Sequence, residues 1–371
     1  MPLSSSVSFL SLNGEKKTGE NLCKMITYKW ISVSNGNRKA IIGSRGTIKM
    51  KENDVNKIQR LQGFDALRGI GIIGIVLYHL YPSIFPGGFL GVPLFFVLSG
   101  YLMIVTSDKK WEKGEFHIGN YYKKRIIKIF PPLFITVIAV CSYLTLFQRE
   151  QLAGIRPELC SIFLGYNNWW QIMENSSYFS RLFNTSPFTH LWFLAVEMQF
   201  YLLWPVVFWL YQKGCRAVGA KRMCFVFLLL ALVSAARMWY LYTPGEDPSR
   251  VYYGTDTMAF PMLLGIFWGA FNRQYKKVHL PELSPPKTVF ALCGFVLGTF
   301  WLFVSITGQS TIVYHGGMFF VSLFFVLMIC VMESFEKNIL RRLEVSPLSW
   351  IGKKSYIIYL WHYPIIILAH L

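Results

Sequence analysis

LRGIGIIGIVLYHLYPSIF, residues Leu67 to Phe85, is apolar throughout except for one cation, Arg68, and one imidazole, His79. A helix turns about 100° per residue, so side chains eleven positions apart point within about 20° of each other, about 16 Å apart along the axis. Its length predicts a membrane-spanning helix. One face then presents a cation near a membrane surface and an imidazole near the middle. An ionisable group inside a span is costly, and usually lines a polar path or takes part in chemistry.

The rest of the chain fits the same class. Of its 371 residues 53% are hydrophobic, 17% aromatic and only 15% charged, and the mean hydropathy is +0.39. This predicts an all-α, polytopic integral membrane bundle in a lipid bilayer. The net charge of +18 resides largely in segments between apolar runs, as orientation signals do, so no nucleic-acid partner is expected. Seven cysteines are scattered singly without a CxxC or metal-ligand spacing, and no metal is expected.

Residues 1 to 60 are polar and lack a signal-peptide core. They read as a disordered cytoplasmic tail or the product of a misassigned start, given Met50 shortly before the first span. Residues 61 to 371 form the membrane domain. Spans are expected near 67–86, 89–107, 127–147, 189–211, 223–242, 257–271, 288–306, 313–333 and 355–371, about nine to ten in all. A short patch, Cys160 to Trp170, contains Asn167 and Asn168 and is expected to be re-entrant or interfacial.

Charge orients this arrangement. Lys109 to Lys128, the loop with Lys213, Arg216, Lys221 and Arg222, the loop with Arg273, Lys276 and Lys277, and Lys337 to Lys354 are basic. All fall on the cytoplasmic side if the N-terminus is cytoplasmic and nine spans cross. Such a count leaves Leu371 outside at the end of a minimal span, so truncation at the C-terminus is expected.

On that topology Glu197 enters its span from the outside, about 10 Å deep, on nearly the same face as His190. His79 and Glu197 are then expected to meet. A carboxylate against an imidazole suits general-base chemistry, a buried structural hydrogen bond and the proton relay of a transporter equally well.

Five motifs narrow the choice. FDALRGIGIIGIVLYH (Phe64 to His79), GVPLFFVLSGYL (Gly91 to Leu102), YYKKRIIKIFPP (Tyr121 to Pro132), HLWFLAVEMQFYLLWP (His190 to Pro205) and SYIIYLWHYP (Ser355 to Pro364) occur in this order. Together they closely resemble the acyltransferase 3 family, membrane enzymes that O-acetylate bacterial surface polysaccharides, over residues 61 to the end. The resemblance implies a multi-pass protein of the bacterial cytoplasmic membrane. It would transfer an acyl group, acetyl by family expectation, from cytoplasmic acyl-CoA to a hydroxyl of a cell-surface polysaccharide or lipid-linked glycan.

The family's Arg/Lys-x10-His signature falls on Arg68 and His79, which makes His79 the expected base and Glu197 its expected partner. Arg68, Arg125 and Lys128 are expected to hold the donor phosphates. Arg125 and Lys128 lie one helical turn apart and can face one phosphate group. Asp65 is expected to orient Arg68, Ser99 of the FFxxSG motif to pack or touch substrate, and His190 and Trp192 to line the outer approach. His362, in the last motif, reads as a packed residue with one hydrogen bond.

Two positions depart from the family pattern: Phe193 replaces a usual Ser, and Met258 stands where Arg is common. The family usually has a further helix after the last motif, and some members carry an extracytoplasmic hydrolase-like domain; the expectation here is the membrane domain alone. A glycan transporter and a non-catalytic homologue are the alternative readings. The glycan, the acylated hydroxyl, the acyl length, direct transfer against an acyl-enzyme, and the oligomeric state are not legible in the sequence.

Overall fold

The computed structural model describes residues 41–42, 48–49, 52–174, 177–179, 186–275, 283–335 and 337–370. Most of the expected N-terminal tail, with Lys276 and Lys277 of the third basic loop, lies outside these residues. The chain divides into two units, Met1–Asn56 and Lys57–Leu371. In the first, β1 (Ile41–Ile42) pairs antiparallel with β2 (Ile48–Lys49).

The second unit is helical among its described residues. The long helices of the chain are α1 (Glu52–Leu80), α2 (Gly91–Glu112), α3 (Ile118–Phe147), α4 (Trp192–Gly214), α5 (Phe225–Leu241), α6 (Phe260–Gln274), α7 (Pro285–Ser305), α8 (Met318–Met332) and α9 (Ser355–His370). Each expected span corresponds to one of them. Among the described residues six helical segments are long and apolar enough to cross a membrane: Gly63–Leu80, Gly88–Glu112, Ile118–Phe147, Thr189–Met223, Pro285–Ser305 and Val313–Met332. This is a multi-pass membrane protein. Length and composition thus support six crossings among the described residues and do not reach the expected nine to ten, because α5, α6 and α9 are shorter.

Outward faces carry large apolar side chains, among them Ile135 on α3, Leu203 on α4, Leu229 on α5 and Phe290 on α7. Water would leave such a surface unstable, whereas acyl chains cover it at no cost. The Cys160 patch forms two short helices, Ile155–Phe163 and Asn167–Met173. Neither is long enough to cross.

Lipid supplies no hydrophobic force between helices, so close approach and hydrogen bonds hold the bundle. Gly265 and Gly269 of α6 face α2, where a Cβ on Gly265 would overlap the Val97 carbonyl and one on Gly100 would overlap the Met262 carbonyl. Glycine is required at this backbone contact. Tyr356 of α9 donates to the Ile129 carbonyl of α3 at 2.8 Å, and Tyr122 of α3 donates to the Leu202 carbonyl of α4 at 2.7 Å.

One boundary corrects the sequence reading. α1 stops at Leu80 rather than continuing to residue 86, because Tyr81 precedes Pro82 and is pushed out of the helical region. His79 consequently sits in the last turn of its helix.

Candidate active site

α1, α2, α3, α4 and α9 enclose a cavity of about 330 Å³. Arg68 projects into it from α1, Ser99 from α2, Lys124, Arg125 and Lys128 from α3, Glu197 and Tyr201 from α4, and Tyr356 and Tyr359 from α9. α3 begins at Ile118, well before the expected 127, which places its basic residues on a helix. Arg125 and Lys128 thereby face the same space, as their spacing predicts.

Arg68 Nη1 donates a hydrogen bond to Asp65 Oδ1 at 2.8 Å, the expected pair across one turn. Among the described residues Lys124, Arg125 and Lys128 have no acidic ion-pair partner. Arg125 lies over the rings of Tyr121 at 3.4 Å and Tyr201 at 4.6 Å. Such cation–π contacts fix the guanidinium without neutralising it. The cavity therefore holds excess positive charge, suited to a polyanion.

Glu197 faces this cavity, not His79. Its Oε1 accepts hydrogen bonds from Ser99 Oγ at 2.6 Å and Tyr201 Oη at 2.7 Å. The expected His79–Glu197 contact does not form. Ser99 thus does more than pack, and Tyr201, one turn after Glu197, was not singled out although its i+4 spacing was readable.

His79 instead meets His362 on α9, which in turn packs against His190 on the turn before α4. The ring centroids are 5.1 Å apart for His79 and His362 and 5.4 Å apart for His190 and His362. His79 Nδ1 lies 2.9 Å from the Ile75 carbonyl. A carbonyl can only accept, so Nδ1 carries the proton and Nε2 keeps its lone pair in the neutral ring. Among the described residues nothing is hydrogen-bonded to that Nε2. The tautomer required of a base is imposed by the backbone of α1 itself.

Aromatic rings surround the imidazole: Tyr78, Tyr178 and Tyr363 contact it edge-on. His190 and Trp192, expected along an open approach, are buried at 3% and 1% exposure. Trp192 packs against Tyr252 and Tyr253. Among the described residues neither ring nitrogen of His190 has a hydrogen-bond partner of good geometry. Tyr359 links the two regions: it lines the cavity, packs on His190 and donates its hydroxyl to the His190 carbonyl. Phe193, in place of the usual Ser, lines the cavity against Tyr359, and Met258 is fully buried. Among the described residues no cluster of His, Cys, Asp or Glu has the arrangement of a metal site.

Comparison with known proteins decides the relationship. The model of the acyltransferase 3 family, described as an acyltransferase domain, matches residues 61–371. The chain belongs to the acyltransferase 3 family. Among curated members, this acyltransferase 3 chain is 38% identical over 311 residues to peptidoglycan O-acetyltransferase OatA of Listeria monocytogenes, covering 82% of the chain and 49% of that protein. It is 32% identical over 316 residues to O-acetyltransferase OatA of Staphylococcus aureus, strain COL, covering 84% of the chain and 51% of that protein. The chain spans about half the length of these relatives. No solved structure matches it.

A separate polar cluster steadies the short helices beside the site. Glu158 is buried at 6% exposure and accepts from Gln171 Nε2 at 3.2 Å. Burial pushes its carboxyl up to about 7, against the opposing hydrogen bonds of Ser186 and Gln171. The folded state then holds more protons than the unfolded chain, whose carboxyl titrates near 4.5. Stability from this group is full below that value and falls as the pH rises through 7. The thermal midpoint in detergent is expected to fall from pH 5 to pH 8. Glu158→Gln should remove up to about 3 kcal/mol of the stability lost across this range and so flatten the slope; an unchanged slope would show that Glu158 does not titrate in this range.

Proposed function

We propose that this acyltransferase 3 domain transfers an acetyl group from acetyl-CoA to a hydroxyl of a cell-wall glycan, with His79 as general base. The observation that carries the reading is the tautomer of His79, protonated at Nδ1 and bare at Nε2. The names of the curated relatives support an acetyl group and a peptidoglycan acceptor. The cation-rich cavity supports a donor bearing several phosphates.

In this reading the N-terminus is cytoplasmic, nine helices cross the bacterial cytoplasmic membrane, and CoA enters from the side of the basic segments. Arg125, Lys128 and Arg68 hold its phosphates. The rise along α1 from Arg68 to His79, about 16 Å, is a distance that an extended pantetheine arm can span. His79 Nε2 takes the proton of the acceptor hydroxyl as its oxygen attacks the thioester carbonyl. The C–S bond then breaks, and the thiolate leaves as CoA after recovering that proton from His79. Glu197, with Ser99 and Tyr201, shapes the donor cavity, while His190 and Trp192 support the walls around the base.

The test is glycan-dependent release of CoA from acetyl-CoA by the purified full-length protein, with acetyl recovered on the sugar. Movement of glycan across the membrane without consumption of acetyl-CoA would instead make the protein a transporter. The donor site has its own test. Arg125→Gln should raise the KM for acetyl-CoA about tenfold, the worth of one charge-assisted hydrogen bond. With S-acetylpantetheine, which lacks the nucleotide, the variant should match the wild type. An equal defect with both donors would place Arg125 outside the phosphate site.

A further inference from the structure

We infer that His362 is a positioning residue for His79, an inference that rests on His79 being the base. His362 Nδ1 lies 2.7 Å from the Tyr359 carbonyl, and since a carbonyl only accepts, this nitrogen bears the proton. Its Nε2 is then a bare acceptor, and it lies 3.3 Å from His79 Nδ1. The His79 Nδ1–H is thus shared between the Ile75 carbonyl on its own helix and the His362 imidazole from α9.

This arrangement places a neutral acceptor where a serine-protease triad places a carboxylate. When His79 Nε2 takes the hydroxyl proton, positive charge spreads over the ring and strengthens the donation from Nδ1. His362 takes no proton; it holds the ring at its working angle and favours the charged form as it develops. Its own angle is fixed by the Tyr359 carbonyl and by His190, packed edge-on against it. A ring that served only to fill space would not need either nitrogen aimed this way.

Two variants of the full-length protein separate this role from packing. His362→Leu removes the acceptor and should lower kcat for acetyl transfer about 100-fold while KM for acetyl-CoA stays within about twofold. His362→Gln places an amide oxygen near the position of Nε2 and should recover kcat to within about tenfold of the wild type. Full kcat in the Leu variant, or equal loss in the Leu and Gln variants, would overturn the inference. His79→Gln run alongside keeps the two claims apart: wild-type transfer that survives this change overturns the reading of His79 as base. Transfer that depends on His79 but not on a side-chain acceptor at residue 362 overturns the role of His362 alone.

Discussion

Acetyl transfer by His79→Gln should fall about 10³-fold or more, with KM for acetyl-CoA within about twofold of the wild type. General-base catalysis contributes about 10²- to 10⁴-fold, and glutamine offers no nitrogen that accepts a proton at neutral pH. The KM expectation follows from position: His79 is in the last turn of α1 and does not line the cation-rich cavity. A loss confined to kcat marks a group needed only in the transition state. A rise in KM with kcat unchanged would instead make His79 a donor-binding residue.

Gly265→Val should have the largest effect on the fold. Its Cβ would overlap the Val97 carbonyl and crowd the Tyr101 backbone nitrogen, and backbone cannot step aside as a flexible side chain does. Separation of α2 from α6 also disturbs Ser99 and Tyr101, which share that stretch of α2. The expected cost exceeds about 3 kcal/mol, seen as a sharp loss of folded protein extracted from membranes and a lowered thermal midpoint. Gly294→Ala on α7 is the control, since a Cβ there meets nothing within 4 Å. A stable, abundant Gly265→Val protein would mean that α2 and α6 do not pack through their backbones.

Much of the site was legible because it is local. The spacing of Arg68 from His79, the pair of Asp65 with Arg68, and the shared outlook of Arg125 and Lys128 are all set within single helices. The relation between helices was not. Bringing His79 to Glu197 required depths in a bilayer, which rested on placing Arg68 at one membrane edge and His190 at the other. Depth along a helix does not say which neighbour a side chain faces. His79 meets the α9 histidine, while Glu197 turns to Ser99 and Tyr201. His362 was visible in the YLWH motif, but a lone histidine on an apolar helix carries no signal of what it faces. The buried setting of Trp192 was equally hidden, since an interfacial tryptophan and a core tryptophan have the same sequence signature.

The account is tested most directly by following a labelled acetyl group. Full-length protein in liposomes, supplied with carbon-13 acetyl-CoA and peptidoglycan fragments, should place the label in an ester on the glycan, with one CoA released per ester formed. The His79→Gln protein, equally folded, should form almost none. Ester formation at the same rate in both proteins, or glycan crossing the bilayer unlabelled while acetyl-CoA is untouched, would contradict it.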